Sequence, residues 1–431
     1  MPRAAALLTT AAILITAAML LAGCSERGTA DTDKTGLGAS IRSFFGLLKT
    51  SEPAPSAEPT PEPTPEPTPE PFADGFTVCG THYYTDTVSL DLRGYTAEDI
   101  ETLLEVKPYL TALKRITLGT EEENPVEWEE IAELQAAFPG VPVNYSFNLY
   151  GRTVLLNDKK LDLNHRSIDD NGEYLRKVLK CMPNLEFLDL DSCGIDSEHC
   201  AALRDEFPSV EVVWRIWFGG YYTARTDVER ILASKPTSFG DLTVSNTHDL
   251  MYCTKVKYLD LGHNGALGAI DFCAYMPELE AAIIAMTFKV SDLTPLKNCT
   301  KLEFLELQSN QITDVSPLAG LENLEYLNLV QNFNLADISP LYGLTKLKKL
   351  YLGCTDPVPA EQVEKFKECV PGCAVNTTSY DPHEGDWRYD PTRESGVSER
   401  YELLVEQFGY AGEASPYNVP YNDPLYYPHD D

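Results

Sequence analysis

Between Lys301 and Leu352 the apolar positions fall into a phrase that recurs. It reads Leu302-x-x-Leu305-x-Leu307-x-x-Asn310-x-Ile312, then Pro317-Leu318, and the same phrase starts again at Leu324 and at Leu347. Apolar residues at the first, fourth and sixth positions fit the inward side of a short strand, because strand side chains alternate between faces. The stretch Ser316-Pro317-Leu318-Ala319-Gly320-Leu321 is too short and too marked by Pro and Gly for more than a tight return turn. A unit of about 22 residues cannot bury its own apolar side, so the pattern predicts units stacked into a parallel sheet. Asn310 and Asn332 stand where the strand turns away, and their amides are placed to bond backbone groups left open there.

The same spacing reaches outward. Leu279-x-x-Ala282-x-Ile284 and Val256-x-x-Leu259-x-Leu261-x-x-Asn264 precede the regular units, and Cys373-x-Val375 follows them as a final rung. The first half repeats the unit with longer returns at Leu90-x-Leu92, Ile116-x-Leu118, Val141-x-Val143, Leu161-x-Leu163, Leu188-x-Leu190, Val210-x-Val212 and Leu242-x-Val244. Together these make thirteen candidate rungs at a spacing of about 24 residues. The longer returns predict helices: Ile131, Leu134 and Phe138 share one helical face, as do Cys200, Leu203 and Phe207. A larger echo joins them, since Phe138-Pro139-Gly140-Val141-Pro142-Val143-Asn144-Tyr145 returns as Phe207-Pro208-Ser209-Val210-Glu211-Val212-Val213-Trp214 and more faintly from Cys369 to Val375. The spacing fails between Trp214 and Leu250, where Trp217, Phe218, Tyr221 and Tyr222 predict an insertion that loops out or resets the register.

From Val256 to Leu352 these residues resemble internalin-type bacterial leucine-rich repeats, most closely from Leu302 onward. The N-terminal half resembles the longer, helix-backed repeats of ribonuclease-inhibitor-like horseshoes. The resemblance implies an α/β leucine-rich-repeat solenoid with a curved parallel β-sheet on its concave face and helices and tight turns on its convex face. It also implies a scaffold that presents concave side chains to a ligand. If the leucines point in, the third, fifth and seventh positions face solvent on that sheet. The candidate ligand-binding residues are therefore Phe187, Asp189, Asp191, Tyr258, Asp260, Phe304, Glu306, Gln308, Tyr326, Asn328, Lys349 and Tyr351. Exposed rings beside carboxylates supply contact area and directional acceptors.

Charge narrows the partner, and the first residues carry a resemblance that implies the compartment. Thirty-four Lys+Arg against 66 Asp+Glu give a net charge of -32 over 431 residues, which excludes nucleic-acid binding through a basic patch. Arg3, the apolar run from Ala4 to Leu21, and Leu21-Ala22-Gly23-Cys24 resemble a bacterial lipoprotein signal with its lipobox. By that resemblance residues 1–23 are removed and Cys24 carries the lipid, so the membrane is met only through the anchor and the protein is extracytoplasmic. Residues 24–75 form a tether whose Glu-Pro-Thr-Pro repetition from Pro53 to Pro71 is an extended spacer of roughly 60 Å. The repeat domain is expected over 76–377 and a C-terminal cap with a Tyr/Pro-rich tail over 378–431.

Catalytic and metal signatures are missing. The sequence has no H-E-x-x-H, G-x-S-x-G, phosphate loop or C-x-x-C, and no cofactor is expected. Cys253 and Cys299 occupy the return slot held by Leu321 and Leu344, which reads as buried apolar thiols. Export permits a disulfide from Cys354 to Cys369 or Cys373, with free thiols as the alternative. Tyr401, Leu404, Val405 and Phe408 make one helical stripe with Gly409 placed to stop it, expected to cover the last rung or to serve as a separate aromatic contact. The sequence thus reads as a monomeric, anchored, non-enzymatic protein that recognises a protein or glycan. The alternative is a cell-envelope enzyme or carbohydrate-binding protein whose active surface is the 214–250 insertion or the C-terminal tail.

Overall fold

The computed structural model describes residues 71–220, 222–234, 242–355, 357–378, 387–388, 390 and 392–409. The signal segment, Cys24, the tether up to residue 70, Tyr221 and the tail from residue 410 lie outside the described residues. The chain divides into two compact units, 1–88 with 94–113 and 89–93 with 114–431.

In the first unit β1 (Phe76–Val78) and β2 (Thr81–Tyr83) pair as an antiparallel hairpin. Helix α1 (Ala97–Val106) starts at Thr96, whose hydroxyl accepts from Asp99 N at 3.3 Å while the Asp99 carboxylate accepts from Thr96 N at 2.8 Å. This reciprocal cap satisfies two donors that an open helix end leaves orphaned. Asp99 also accepts from Cys79 N at 2.6 Å, which ties the helix start to the hairpin turn.

The second unit holds three sheets of rungs. Strands β3 (Ser89–Asp91), β4 (Arg115–Thr120) and β5 (Val143–Leu149) run parallel, and β6 (Arg152–Leu155) folds back antiparallel on β5. Helix α2 (Trp128–Ala137) forms the return between β4 and β5. The next sheet is β7 (Lys160–Asp162), β8 (Phe187–Asp189) and β9 (Glu211–Val213), with α3 (Glu173–Leu179) and α4 (Ser197–Glu206) as returns. An antiparallel hairpin, β10 (Arg215–Phe218) and β11 (Tyr222–Arg225), follows.

The third sheet is seven parallel strands in chain order: β12 (Arg230–Leu232), β13 (Tyr258–Asp260), β14 (Ala281–Ile283), β15 (Phe304–Glu306), β16 (Tyr326–Asn328), β17 (Lys349–Tyr351) and β18 (Ala374–Asn376). Its returns are 3-10 turns such as Thr294–Asn298, Ser316–Leu318 and Ser339–Gly343, until α5 (Ala360–Cys369) backs the last rung. The fold is the α/β repeat solenoid that the spacing predicts.

Most rungs sit where the period puts them, with corrections at four. Val141, Val210 and Cys373 precede their strands, and the residues that pair with Ile116, Leu188 and Leu350 are Val143, Val212 and Val375. Leu242-x-Val244 is not a strand: Val244 opens a 3-10 turn and is exposed. The rung before Tyr258 is instead β12, where Ile231 alone holds the inward slot and pairs in register with Leu259. A rung with Arg230 and Ala233 beside its single inward Ile carries too little of the leucine phrase to be seen by spacing.

The asparagines act as expected. Asn332 Nδ2 donates to Leu307 O at 3.1 Å and Leu329 O at 2.8 Å, and its Oδ1 accepts from Ile312 N at 3.1 Å. Asn310 and Asn264 make the same bridge one and three rungs earlier, to Ile284 O at 2.7 Å and Ala233 O at 2.8 Å. Each bridge closes a turn whose preceding residue is left-handed: His263, Ser309 and Gln331 have φ of 62°, 56° and 60°, and His165, Ser192, Met286 and Cys354 repeat the conformation. For non-glycine residues that conformation costs about 1–2 kcal/mol, and the buried amide bridges offset it.

The larger echo has a structural basis. A hairpin precedes a rung three times, as β1–β2 before β3, β5–β6 before β7 and β10–β11 before β12. The turns recur about every 70 residues, at Cys79-Gly80, Tyr150-Gly151 and Gly219-Gly220, with φ of 51° and 69°, 48° and 78°, 60° and 87°. Two successive positive φ values match the right-handed twist of the flanking strands, and glycine is the residue that adopts them without strain. The predicted insertion after Trp214 is thus the third copy of this hairpin.

Candidate functional site

The register brings the predicted columns together. Tyr258, Ala281, Phe304, Tyr326 and Lys349 lie side by side across β13 to β17, and Asp260, Ile283, Glu306, Asn328 and Tyr351 form the next row. Their expected exposure is not met. Asp260, Phe304, Glu306, Gln308, Asn328 and Tyr351 are buried, while Tyr258, Tyr326 and Lys349 are partly covered. The physical reason is the C-terminal segment. Helix α6 (Glu399–Phe408) runs from the Ser398 cap to the left-handed Gly409 stop. Its stripe of Tyr401, Leu404 and Phe408, with Trp387 before it, packs in one cluster with Leu232, Ala281, Ile283, Phe304, Val330 and Tyr351. The segment expected to cap the last rung instead lies on the sheet face.

Three rings receive the Trp387 indole: Phe304, Tyr326 and Tyr351, with centroids 5.2, 6.2 and 5.1 Å away. Beside it Arg388 Nη2 donates to Glu306 Oε1 at 2.8 Å, a pair with side-chain exposures of 6% and 0%. The Arg388 guanidinium also lies 5.2 Å over the Tyr401 ring. Arg400 stacks over Phe304 at 5.8 Å and Tyr326 at 5.7 Å and reaches Glu303 at 3.8 Å. The seat is thus an aromatic floor with two buried acids, Asp260 and Glu306, filled by an aromatic, an arginine and an amphipathic helix. Glu306 Oε2, Asn328 Nδ2 and Trp387 Nε1 are buried there without a hydrogen-bond partner.

Phe187, Asp189 and Asp191 belong to a separate locus on β8. The β10–β11 hairpin closes over it with two arginines: Arg215 Nη2 meets Asp191 Oδ2 at 2.8 Å and Arg225 Nη1 meets Asp189 Oδ2 at 3.0 Å. Burial alone would raise the Asp191 carboxyl, but the Arg215 guanidinium and the Ser192 hydroxyl outweigh it and hold the group below the usual carboxylate range. These acids neutralise arginines and do not form an open pair.

A family model described as Leucine Rich repeats (2 copies) matches residues 300–343. Over that stretch this chain carries leucine-rich repeats. Among solved structures, internalin C2 from Listeria monocytogenes is 19% identical with a TM-score of 0.25, covering 60% of this chain and 78% of that one. The Rad7 and Elc1 complex in yeast gives 15% identity and a TM-score of 0.30, covering 72% of this chain and 73% of that one. The functional domain of InlJ from Listeria monocytogenes gives 17% and 0.23, covering 55% and 59%. Likenesses of this strength say nothing about ligand or activity. No match exists among curated proteins.

The cysteines of the leucine-rich repeats are structural where the phrase predicts it. Cys253 and Cys299 are buried, and burial pushes the Cys299 thiol up to about 11. Cys354, Cys369 and Cys373 are thiols, so the disulfide over the solenoid end does not form. Among the described residues no helix is long and apolar enough to cross a membrane, and no group of three or more His, Cys, Asp or Glu is arranged to hold a metal ion.

Trp387 and Arg388 are the functional residues that the repeat spacing missed. Local pattern carries little signal for them: Glu306 stands on the outer sheet face beside Ile283 and Phe304, and once that face is covered its carboxylate calls for a cation from elsewhere in the chain.

Proposed function

We propose that this leucine-rich-repeat protein is held at the outer face of a bacterial membrane by a lipid on Cys24 and acts by non-covalent recognition of another protein. The observation that carries this reading is the sheet face from β12 to β17, whose floor already holds a polypeptide segment through rings, an ion pair and an amphipathic helix. Aromatic and arginine anchors in a desolvated centre are how protein–protein contacts concentrate binding energy. The rows Tyr258, Asp260, Phe304, Glu306, Gln308, Tyr326, Asn328, Lys349 and Tyr351 are its contact surface, with Phe187, Asp189 and Asp191 a secondary one.

The test is photo-crosslinking in cells that carry the full anchored chain. A crosslinking residue at Tyr258, on the sheet face, is expected to give a discrete protein adduct that the same residue at Tyr275, exposed on a return turn, does not give. Equal labelling at both positions, or none at Tyr258, overturns the assignment of the face. The anchor is tested separately: Cys24→Ser moves the protein from the membrane to the soluble fraction, and retention in the membrane refutes lipidation.

A further inference from the structure

Resting on that reading, we infer that the segment from Trp387 to Phe408 is a displaceable internal ligand. The seat beneath it takes a helical segment of a partner protein, one in which an aromatic–arginine pair precedes an amphipathic helix that opens with a second arginine.

Three observations carry this. The segment is self-contained: Ser398 N donates to Arg388 O at 3.1 Å, Asp390 N donates to Gly396 O at 3.1 Å and the Ser398 hydroxyl donates to Trp387 O at 3.1 Å. Among the described residues it meets the rungs through side-chain contacts such as Arg388 with Glu306 and Arg400 with Glu303, while the rungs are joined to one another by backbone ladders and asparagine bridges. Lifting the segment therefore breaks no bond of the sheet. A stretch attached only by side chains opens at lower free energy than the ladder beneath it.

The fit is also incomplete. Glu306 Oε2, Asn328 Nδ2 and the Trp387 indole N–H are buried and unmatched. A ligand that engages both oxygens of Glu306 with a guanidinium fork and offers an acceptor to Asn328 satisfies what the internal segment leaves open.

Charge selects the class of occupant. With Asp390, Glu394, Glu399, Glu402 and Glu406 the segment laid on this face is itself acidic, and its cations are three arginines, Arg388, Arg393 and Arg400. Two of these meet acids of the face, Glu306 and Glu303. A ring-lined seat with acids at these two points favours a helix that carries arginines at the matching positions over a glycan ligand.

The internal segment competes at the high effective concentration of a tethered ligand, so weakening it must expose the seat. The test uses the full chain as wild type and as the Trp387→Ala, Leu404→Asp variant, titrated by fluorescence anisotropy against a labelled synthetic peptide of residues 387–409. The variant is expected to keep its folded circular-dichroism spectrum and to bind the peptide at least about tenfold more tightly than wild type. An Arg388→Leu peptide is expected to lose at least about tenfold of that affinity. A folded variant that does not bind, or equal binding by wild type and variant, overturns the inference.

If the variant does not fold, hydrogen exchange on the wild type decides. Amides of α6 are expected to exchange at least about tenfold faster than those of β15 and β16, and exchange in step with the sheet makes the segment part of the core. A wild-type chain found by light scattering as a segment-exchanged dimer also overturns the inference, because it gives the seat to a second copy. These outcomes are separate from the crosslinking result: an adduct at Tyr258 without peptide capture leaves protein recognition standing and removes only the displaced-helix route.

Discussion

The buried pair between Glu306 and Arg388 gives the sharpest quantitative test of how the face is closed. Its N–O distance is 2.8 Å and both side chains are withdrawn from water, at 0% and 6% exposure. Removing one member of such a pair leaves the other charge desolvated, a loss of about 3–5 kcal/mol, whereas replacing both by apolar side chains of similar volume is close to neutral. Arg388→Met and Glu306→Leu are thus each expected to destabilise by an amount approaching that range, and the double variant by no more than about 2 kcal/mol. Part of the Arg388 loss persists in the double variant, because the guanidinium also sits over Tyr401 and such a contact contributes about 0.5–2 kcal/mol. There is a ceiling as well. When Arg388 is replaced, the segment can lift and let Glu306 hydrate, so the loss cannot exceed the free energy that docks the segment. Urea unfolding of the four proteins gives the coupling energy, and proteolytic nicking near Arg393 reports lifting. Single effects that simply add in the double variant refute the argument, since they mean that the two charges do not depend on each other.

Asn332→Leu removes one donor pair and one acceptor from three buried backbone groups, Leu307 O, Leu329 O and Ile312 N, and is expected to lower stability by about 2–4 kcal/mol in urea melts. A loss under about 1 kcal/mol contradicts the bridge. For His263, burial first and the Arg388 charge second pull the imidazole down to about 4, against about 6.5 in the unfolded chain. The unfolded state therefore binds the extra proton between these values: stability is unaffected above pH 6.5, falls as the pH drops toward 4, and loses about 3 kcal/mol in full. His263→Asn, which tolerates the left-handed backbone at this position, is expected to flatten that part of the profile, and an unchanged difference between pH 7 and pH 4.5 refutes it. Alkylation at pH 8 is expected to spare Cys253, Cys273 and Cys299 in the native chain and to reach them only in urea; native labelling of Cys299 argues against its burial.

The scaffold was legible because its signal is periodic. Leu305, Leu327 and Leu350 could each be misread alone, yet at a common spacing they led to rungs as irregular as the one at Val212, which the period placed two residues early at Val210. The rung at Arg230 escaped because a hairpin shifts the spacing and only Ile231 carries the inward position. The site was legible in composition but not in exposure. Period places Phe304 and Tyr326 on the sheet face, while what covers that face depends on a segment 83 residues beyond Phe304 at Trp387, a long-range contact that no local pattern encodes. The stripe of Tyr401, Leu404 and Phe408 was visible as a helix, and its destination was set by Glu306 and three rings that do not neighbour it in sequence.

The order of the chain gives the covered face a history. The seven-stranded sheet is complete at Asn376, and its cover ends at Phe408. A polypeptide made N-terminus first, at roughly 5–20 residues per second, completes the rungs a few seconds before the last of the cover exists. In that interval Phe304, Tyr351, Ile283 and Val330 form an open apolar floor, and whatever helix is nearby meets it first. Residues 387–408 thus close the floor only after the rungs are made, and a chain truncated before Trp387 is expected to keep that early apolar surface open.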